Sequence, residues 1–170
     1  MPSPFWKSEV LKERWYLGDT YNTSIGQGYT LVTPLQMAKA VLPFANGGSL
    51  CVPTLLKNAQ PSCKKLSVSQ ETLKLIREGM RETCTTGGTG WPLFDFRPAT
   101  NSAAIQTGCK TGTAESHAKS GNPHAWFTVF APFEKPEIAL TILVEEGGQG
   151  SDVAAPIAKE ILKTHFERRE

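Results

Sequence analysis

HAWFTVFAPFEKPEIALTILV, residues 124–144, reads as two strands and the turn between them. Aromatic and β-branched side chains crowd residues 125–131 and again 137–144, while two prolines bound the short connection at 132–136. Two strands joined so briefly must run antiparallel. Working outward, residues 103–114 read as a further strand on the N-terminal side. On the C-terminal side, residues 152–166 read as a helix with Ala154, Ile157, Ala158, Ile161 and Leu162 along one face.

The first half has a different character. A helix is expected from Thr33, with Thr33 as cap, Pro34 at the first helical position and Gln36 completing a capping box. Leu35, Ala38, Val41, Leu42 and Ala45 keep the helical period until Gly47-Gly48, and Pro43 is expected to kink or shorten it. A second helix is expected from Ser67, with Gln70 three residues on, through Leu73, Ile76 and Met80 toward Cys84. Residues 1–15, mixed and polar with two prolines and little periodicity, look like an incoming linker or a piece of an element whose partner is missing, and GDTYNTSIGQGYTLV like a loop with short extended pieces. The expected organisation is residues 1–32 linker and loop, 33–84 helical, 85–102 a long loop, and 103–170 three strands plus a C-terminal helix. The fold class is α+β, an antiparallel meander preceded by helices and backed by the last one.

A chain of 170 residues suits one domain, and its net charge of +2, with acids and bases interspersed, gives no basis for a nucleic-acid partner. No run is long enough to span a bilayer, so no membrane contact is expected of this chain, and its first residues lack the apolar core of a signal peptide. The four cysteines form no C-x-x-C pair and have no histidine at ligand spacing, which argues against a metal site. Cys51 and Cys63 bracket a Pro-containing loop and would pair in an oxidising compartment. The preferred expectation is four separate small apolar side chains, with Cys109 as core packing.

The sharpest chemical signal is Lys110-Thr111-Gly112-Thr113. On a strand, Thr111 and Thr113 share a face, so two hydroxyls can meet one anion. Gly112 lets the backbone lie close to a ligand, and Lys110 adds a cation on a flexible stem. Together these residues form a carboxylate-binding edge, although K-T-G is a common tripeptide. Residues 107–111 do not make a phosphate loop, because Cys109 and Ala104 stand where that motif requires glycines.

Three blocks supply the wider context: WYLGDTYNTSIGQGYTLVTPLQMAKA (15–40), GMRETCTTGGTG (79–90) leading into TGCKTGTAES, and residues 124–162 from HAWFTVF to AKEIL. In this order they resemble the monofunctional, elongation-type (class B) penicillin-binding proteins, over nearly the whole chain from Trp15 onward. The resemblance implies part of the penicillin-binding and serine β-lactamase-like transpeptidase fold, and a peptidoglycan D,D-transpeptidase acting through a serine acyl-enzyme without metal or organic cofactor. It implies that Lys110, Thr111, Gly112 and Thr113 bind the terminal carboxylate of a D-Ala-D-Ala stem peptide or of a β-lactam. The Thr113 backbone N–H would be one oxyanion-hole donor. It further implies a parent on the outer side of the cytoplasmic membrane, held by an N-terminal helix.

The family's S-x-x-K and S-x-N motifs would then precede Met1, in the remaining N-terminal part of the same domain. Ser62-Cys63-Lys64-Lys65, Ser116-His117-Ala118-Lys119 and Ser120-Gly121-Asn122 match those short patterns, but all three stand in the wrong order relative to K-T-G. A nucleophile also needs a buried helix start with the lysine one turn on. They read as coincidences, and this chain alone is expected to be inactive. His124 and Trp126 are expected to support the wall behind the K-T-G strand, and His117 and His165 to lie on the surface. Trp91, Phe94 and Phe96 would line a cleft or hide apolar surface. A non-catalytic binding module or remnant and a β-lactamase-like hydrolase fragment are the rival readings; the 15–40 block favours the transpeptidase. Because the family's sheet takes two strands from before the serine motif, residues 137–144 should leave an unpaired apolar edge and a marginal, aggregation-prone chain.

Overall fold

The computed structural model describes residues 1–99, 103–116 and 121–168, which fall into two compact units, Met1–Thr33 and Pro34–Glu170. In the first unit, helix α1 (Pro4–Leu11) occupies what reads as linker. Its prolines sit where a helix tolerates them: Pro2 precedes the cap, Pro4 is at the first helical position, and the Ser3 hydroxyl accepts the Trp6 N–H at 3.1 Å. Helix α2 (Leu17–Ser24) forms within the expected loop. Its sequence, LGDTYNTS, is poor in helix formers, so tertiary contacts decide. The Asp19 carboxylate accepts the Tyr16 N–H at 2.7 Å and takes the Lys7 ammonium at 2.8 Å. Lys7 is only 2% exposed, with the rings of Tyr16 and Tyr29 at 4.8 and 5.1 Å. A buried ammonium persists only when so paired.

The second unit opens with α3 (Pro34–Ala45), which runs through Pro43 rather than stopping there. Pro43 lies in the last turn, where one missing backbone donor disrupts little, and Gly47 and Gly48 take positive φ just beyond. A hairpin of β1 (Ser49–Cys51) and β2 (Cys63–Lys65) follows, where no strand was expected. Helix α4 (Gln70–Thr83) is capped two residues later than the sequence suggests, because Ser69 rather than Ser67 accepts the Thr72 N–H at 3.0 Å. The loop after α4 contains a 3-10 turn, Trp91–Leu93.

Strands β3 (Gly108–Ala114), β4 (His124–Ala131) and β5 (Ile138–Val144) form one antiparallel sheet in that order, with Gly108 opposite Phe130, Thr111 opposite Phe127 and Ala131 opposite Ile138. The expected first strand is shorter than 103–114, since residues 103–107 are held by irregular bonds such as Ile105 N–H to Phe96 O (2.8 Å). A π-helical turn, Gly150–Ala154, leads into α5 (Ala155–Glu167). One sheet face buries Phe127, Val129 and Cys109 against Ala154, Ala158 and Leu162 of that segment and against Leu93 and Phe96. The other packs Phe130 with Val41, Met80 and Phe133. Arg77 ties this second layer together: its guanidinium donates to Phe133 O at 2.5 Å and to Phe44 O, and it lies over the Phe133 ring. The architecture is the expected α+β arrangement of helices around an antiparallel meander.

All four cysteines are paired, Cys51 with Cys63 and Cys84 with Cys109. The expectation of four separate apolar side chains is therefore corrected. The first pair joins directly opposed positions of the β1–β2 hairpin. The second joins the end of α4 to the start of β3, a proximity that only the packed fold creates.

Candidate functional site

Lys110, Thr111, Gly112 and Thr113 all lie on β3, the sheet edge opposite β5. Lys110 and Thr113 are exposed, while Thr111 and Gly112 are half-buried. The Lys110 ammonium folds back along its own strand and donates to Thr111 O at 2.7 Å. Thr111 and Thr113 share a strand face, as their spacing requires. Across the ladder Gly112 faces Trp126; a Cβ on Gly112 would stand 3.1 Å from the Trp126 Cβ, so the indole side of β4 presses on this glycine.

Three neighbours hold this edge in place. Gly150 rests on the β3–β4 pair so closely that a Cβ there would overlap the Trp126 carbonyl oxygen and lie 2.6 Å from Gly112 O. The buried Cys84–Cys109 bridge ends one residue before Lys110. The Thr89 hydroxyl lies 2.8 Å from the Thr111 hydroxyl. Sequence reasoning missed Thr89, Gly150 and the bridge. The available signal was the run Gly87-Gly88-Thr89-Gly90, a threonine set among glycines just upstream of the K-T-G strand.

The remaining candidates separate from this edge. Ser62 is exposed beside the Cys51–Cys63 hairpin, and its backbone carbonyl accepts the Val52 N–H, so it heads no helix. Ser116 follows β3 and donates to Asn122 O at 2.6 Å. His117, Lys119 and Ser120 lie outside the described residues. His124 accepts the Glu146 N–H on Nδ1 at 3.0 Å, a structural use that ties the start of β4 to the turn after β5. Phe96, 2% exposed, belongs to the core, whereas Trp91 is 53% exposed. Among the described residues no cluster of His, Cys, Asp or Glu could hold a metal ion.

The penicillin binding protein transpeptidase domain matches residues 4–163, and the chain belongs to that family. Over 98% of its length it is 31% identical to the peptidoglycan D,D-transpeptidase MrdA of Salmonella typhimurium, covering 30% of that protein. It is similar at 35% identity and a TM-score of 0.81 to the penicillin-binding protein PBP2 of Helicobacter pylori in a complex with MreC, with 99% of this chain and 31% of that one aligned. The Pseudomonas aeruginosa PBP2 matches at 28% identity and a TM-score of 0.79, over 100% and 38% of the two chains. The chain thus spans about a third of the length of these relatives.

Proposed function

We propose that residues 1–170 are the C-terminal portion of one D,D-transpeptidase domain and supply the strand that receives the substrate carboxylate. The observation that supports this best is the edge position of β3, which carries Lys110, Thr111 and Thr113 on the side of the sheet away from β5. An incoming D-alanine or β-lactam carboxylate would draw the Lys110 ammonium off Thr111 O and meet the hydroxyls of Thr111 and Thr113, the charge-assisted bonds being the stronger ones. The Thr113 N–H would stabilise the oxyanion as a serine attacks the penultimate D-alanine carbonyl. The C–N bond then breaks, D-alanine leaves with a proton, and the acyl group passes to an amine of a neighbouring stem peptide. The serine, its lysine and the second oxyanion donor belong to the N-terminal part of the same domain in a longer parent, as does the partner of the β5 edge. The parent would act in the cell envelope, on the extracytoplasmic side of the inner membrane, anchored by its own N-terminal helix.

The test is the intact mass of this chain and of the full-length parent after incubation with benzylpenicillin. The parent should gain one covalent adduct and this chain none. A stoichiometric adduct on this chain, mapped to Ser62 or Ser116, would overturn the assignment of the nucleophile.

A further inference from the structure

We infer that Thr89 is a positioning residue for the carboxylate-binding strand, acting by orienting the Thr111 hydroxyl. The inference rests on the proposed role of Thr111 and extends it. A hydroxyl that donates its proton to an anion keeps two lone pairs for a donor of its own. Thr89 Oγ1 is 2.8 Å from Thr111 Oγ1, a distance at which either hydroxyl can donate; with an anion bound, Thr89 O–H would donate to Thr111 and Thr111 O–H to the ligand oxygen, completing a relay. Each bond in such a chain polarises the next. Without ligand the Thr111 hydroxyl can donate back to Thr89, and the anion selects the opposite direction.

The backbone around Thr89 is built to hold that distance. Gly90 N–H donates to Thr83 O at 2.7 Å, and Gly88 N–H to Thr85 O at 2.9 Å. A Cβ on Gly88 would overlap Thr83 O, and one on Gly90 would stand 2.6 Å from Cys109 Sγ. Residues 88–90 are thereby pressed between the last carbonyls of α4 and the Cys84–Cys109 bridge. That bridge fastens the start of the loop to the residue before Lys110. Thr89 and Thr111, 22 positions apart in sequence, are clamped to the same covalent frame.

The experiment measures the second-order rate of acylation of the full-length parent by benzylpenicillin, with Thr89→Val, Thr89→Ser, Thr111→Val and the Thr89→Val/Thr111→Val double variant. Thr89→Val keeps the shape and deletes the hydroxyl, so acylation should slow roughly three- to tenfold. Thr89→Ser should restore it to within about twofold, and Thr111→Val should cost roughly 10- to 100-fold because its bond is to a charge. In the Thr111→Val background, Thr89→Val should change nothing beyond about twofold, since the two act through one bond. Benzylpenicillin methyl ester, which lacks the anion, should acylate the wild-type and Thr89→Val enzymes equally. Should Thr89→Val fail to fold, Thr89→Ala against Thr89→Ser carries the same comparison. Equal loss from Thr89→Val in both backgrounds, or none while Thr111→Val is impaired, overturns the positioning role alone. A parent that is not acylated, or a Thr111→Val variant that is unaffected, overturns the carboxylate-strand reading and this inference with it.

Discussion

Breaking the Cys84–Cys109 bridge should be among the most damaging single chemical changes to this chain. The bridge closes a loop with a sequence separation of 25, between the end of α4 and the residue before Lys110. In the chain-entropy account, a cross-link of that span removes about 3.5 kcal/mol of freedom from the unfolded ensemble at 25 °C. Domains of this kind retain only about 5–15 kcal/mol of net stability, so the loss is a large share. The Cys84→Ala/Cys109→Ala variant adds the removal of two buried sulfurs, and its urea midpoint should fall by about 1 to 3 M. The assay is equilibrium unfolding in urea of oxidised wild type, the variant, and wild type under graded dithiothreitol with free thiols counted. Cys63 is exposed whereas Cys109 is fully buried, so the Cys51–Cys63 pair should be reduced first. That first step, with a sequence separation of 12, should cost about 2.8 kcal/mol. Four free thiols in the natively prepared chain, or an unchanged midpoint after all four are released, would refute the reasoning.

Other expectations follow from the same structure. Asp19 is held below its ordinary carboxylate range, first by the Lys7 hydrogen bond and then by the Tyr16 N–H. The depressed pKa means its stabilisation is present above about pH 4 and is lost as pH falls through the folded value. The Tyr16 amide resonance should report that acid transition, and an unchanged transition in Asp19→Asn would contradict it. Among the described residues β5 pairs only with β4, and all seven of its residues are half-buried. Its outward amides should exchange rapidly and the isolated chain should self-associate; strong protection across residues 138–144 in a soluble monomer would speak against this. A Cβ at Gly108 would overlap the fully buried Phe130 ring, so Gly108→Ala should lower thermal stability by about 1–3 kcal/mol. A change under about 0.5 kcal/mol would show that the ring can yield.

The meander was legible because its information is local: residues 124–144 carry the β-forming side chains and the turn in one stretch, and period two puts Thr111 and Thr113 on one face. The C-terminal helix and the two central ones were legible through their apolar period. One edge moved by two residues where a different serine proved to be the cap, while Pro43 fell in a last turn and did not shorten its helix. The family itself was visible in three blocks of residues. Helix α2 was not visible, because LGDTYNTS has little helical preference and is stabilised by Lys7, ten positions before its first residue. Nor were the pairing of Cys84 with Cys109 and the approach of Thr89 to Thr111. Those contacts join positions 25 and 22 residues apart, and no periodicity encodes which distant side chains a packed edge will bring together. The sequence by itself determined the order of residues Lys110 to Thr113 and the face that the two threonines share; the tertiary structure decided which neighbours hold them still, because positioning is a matter of distance and only folding sets distances.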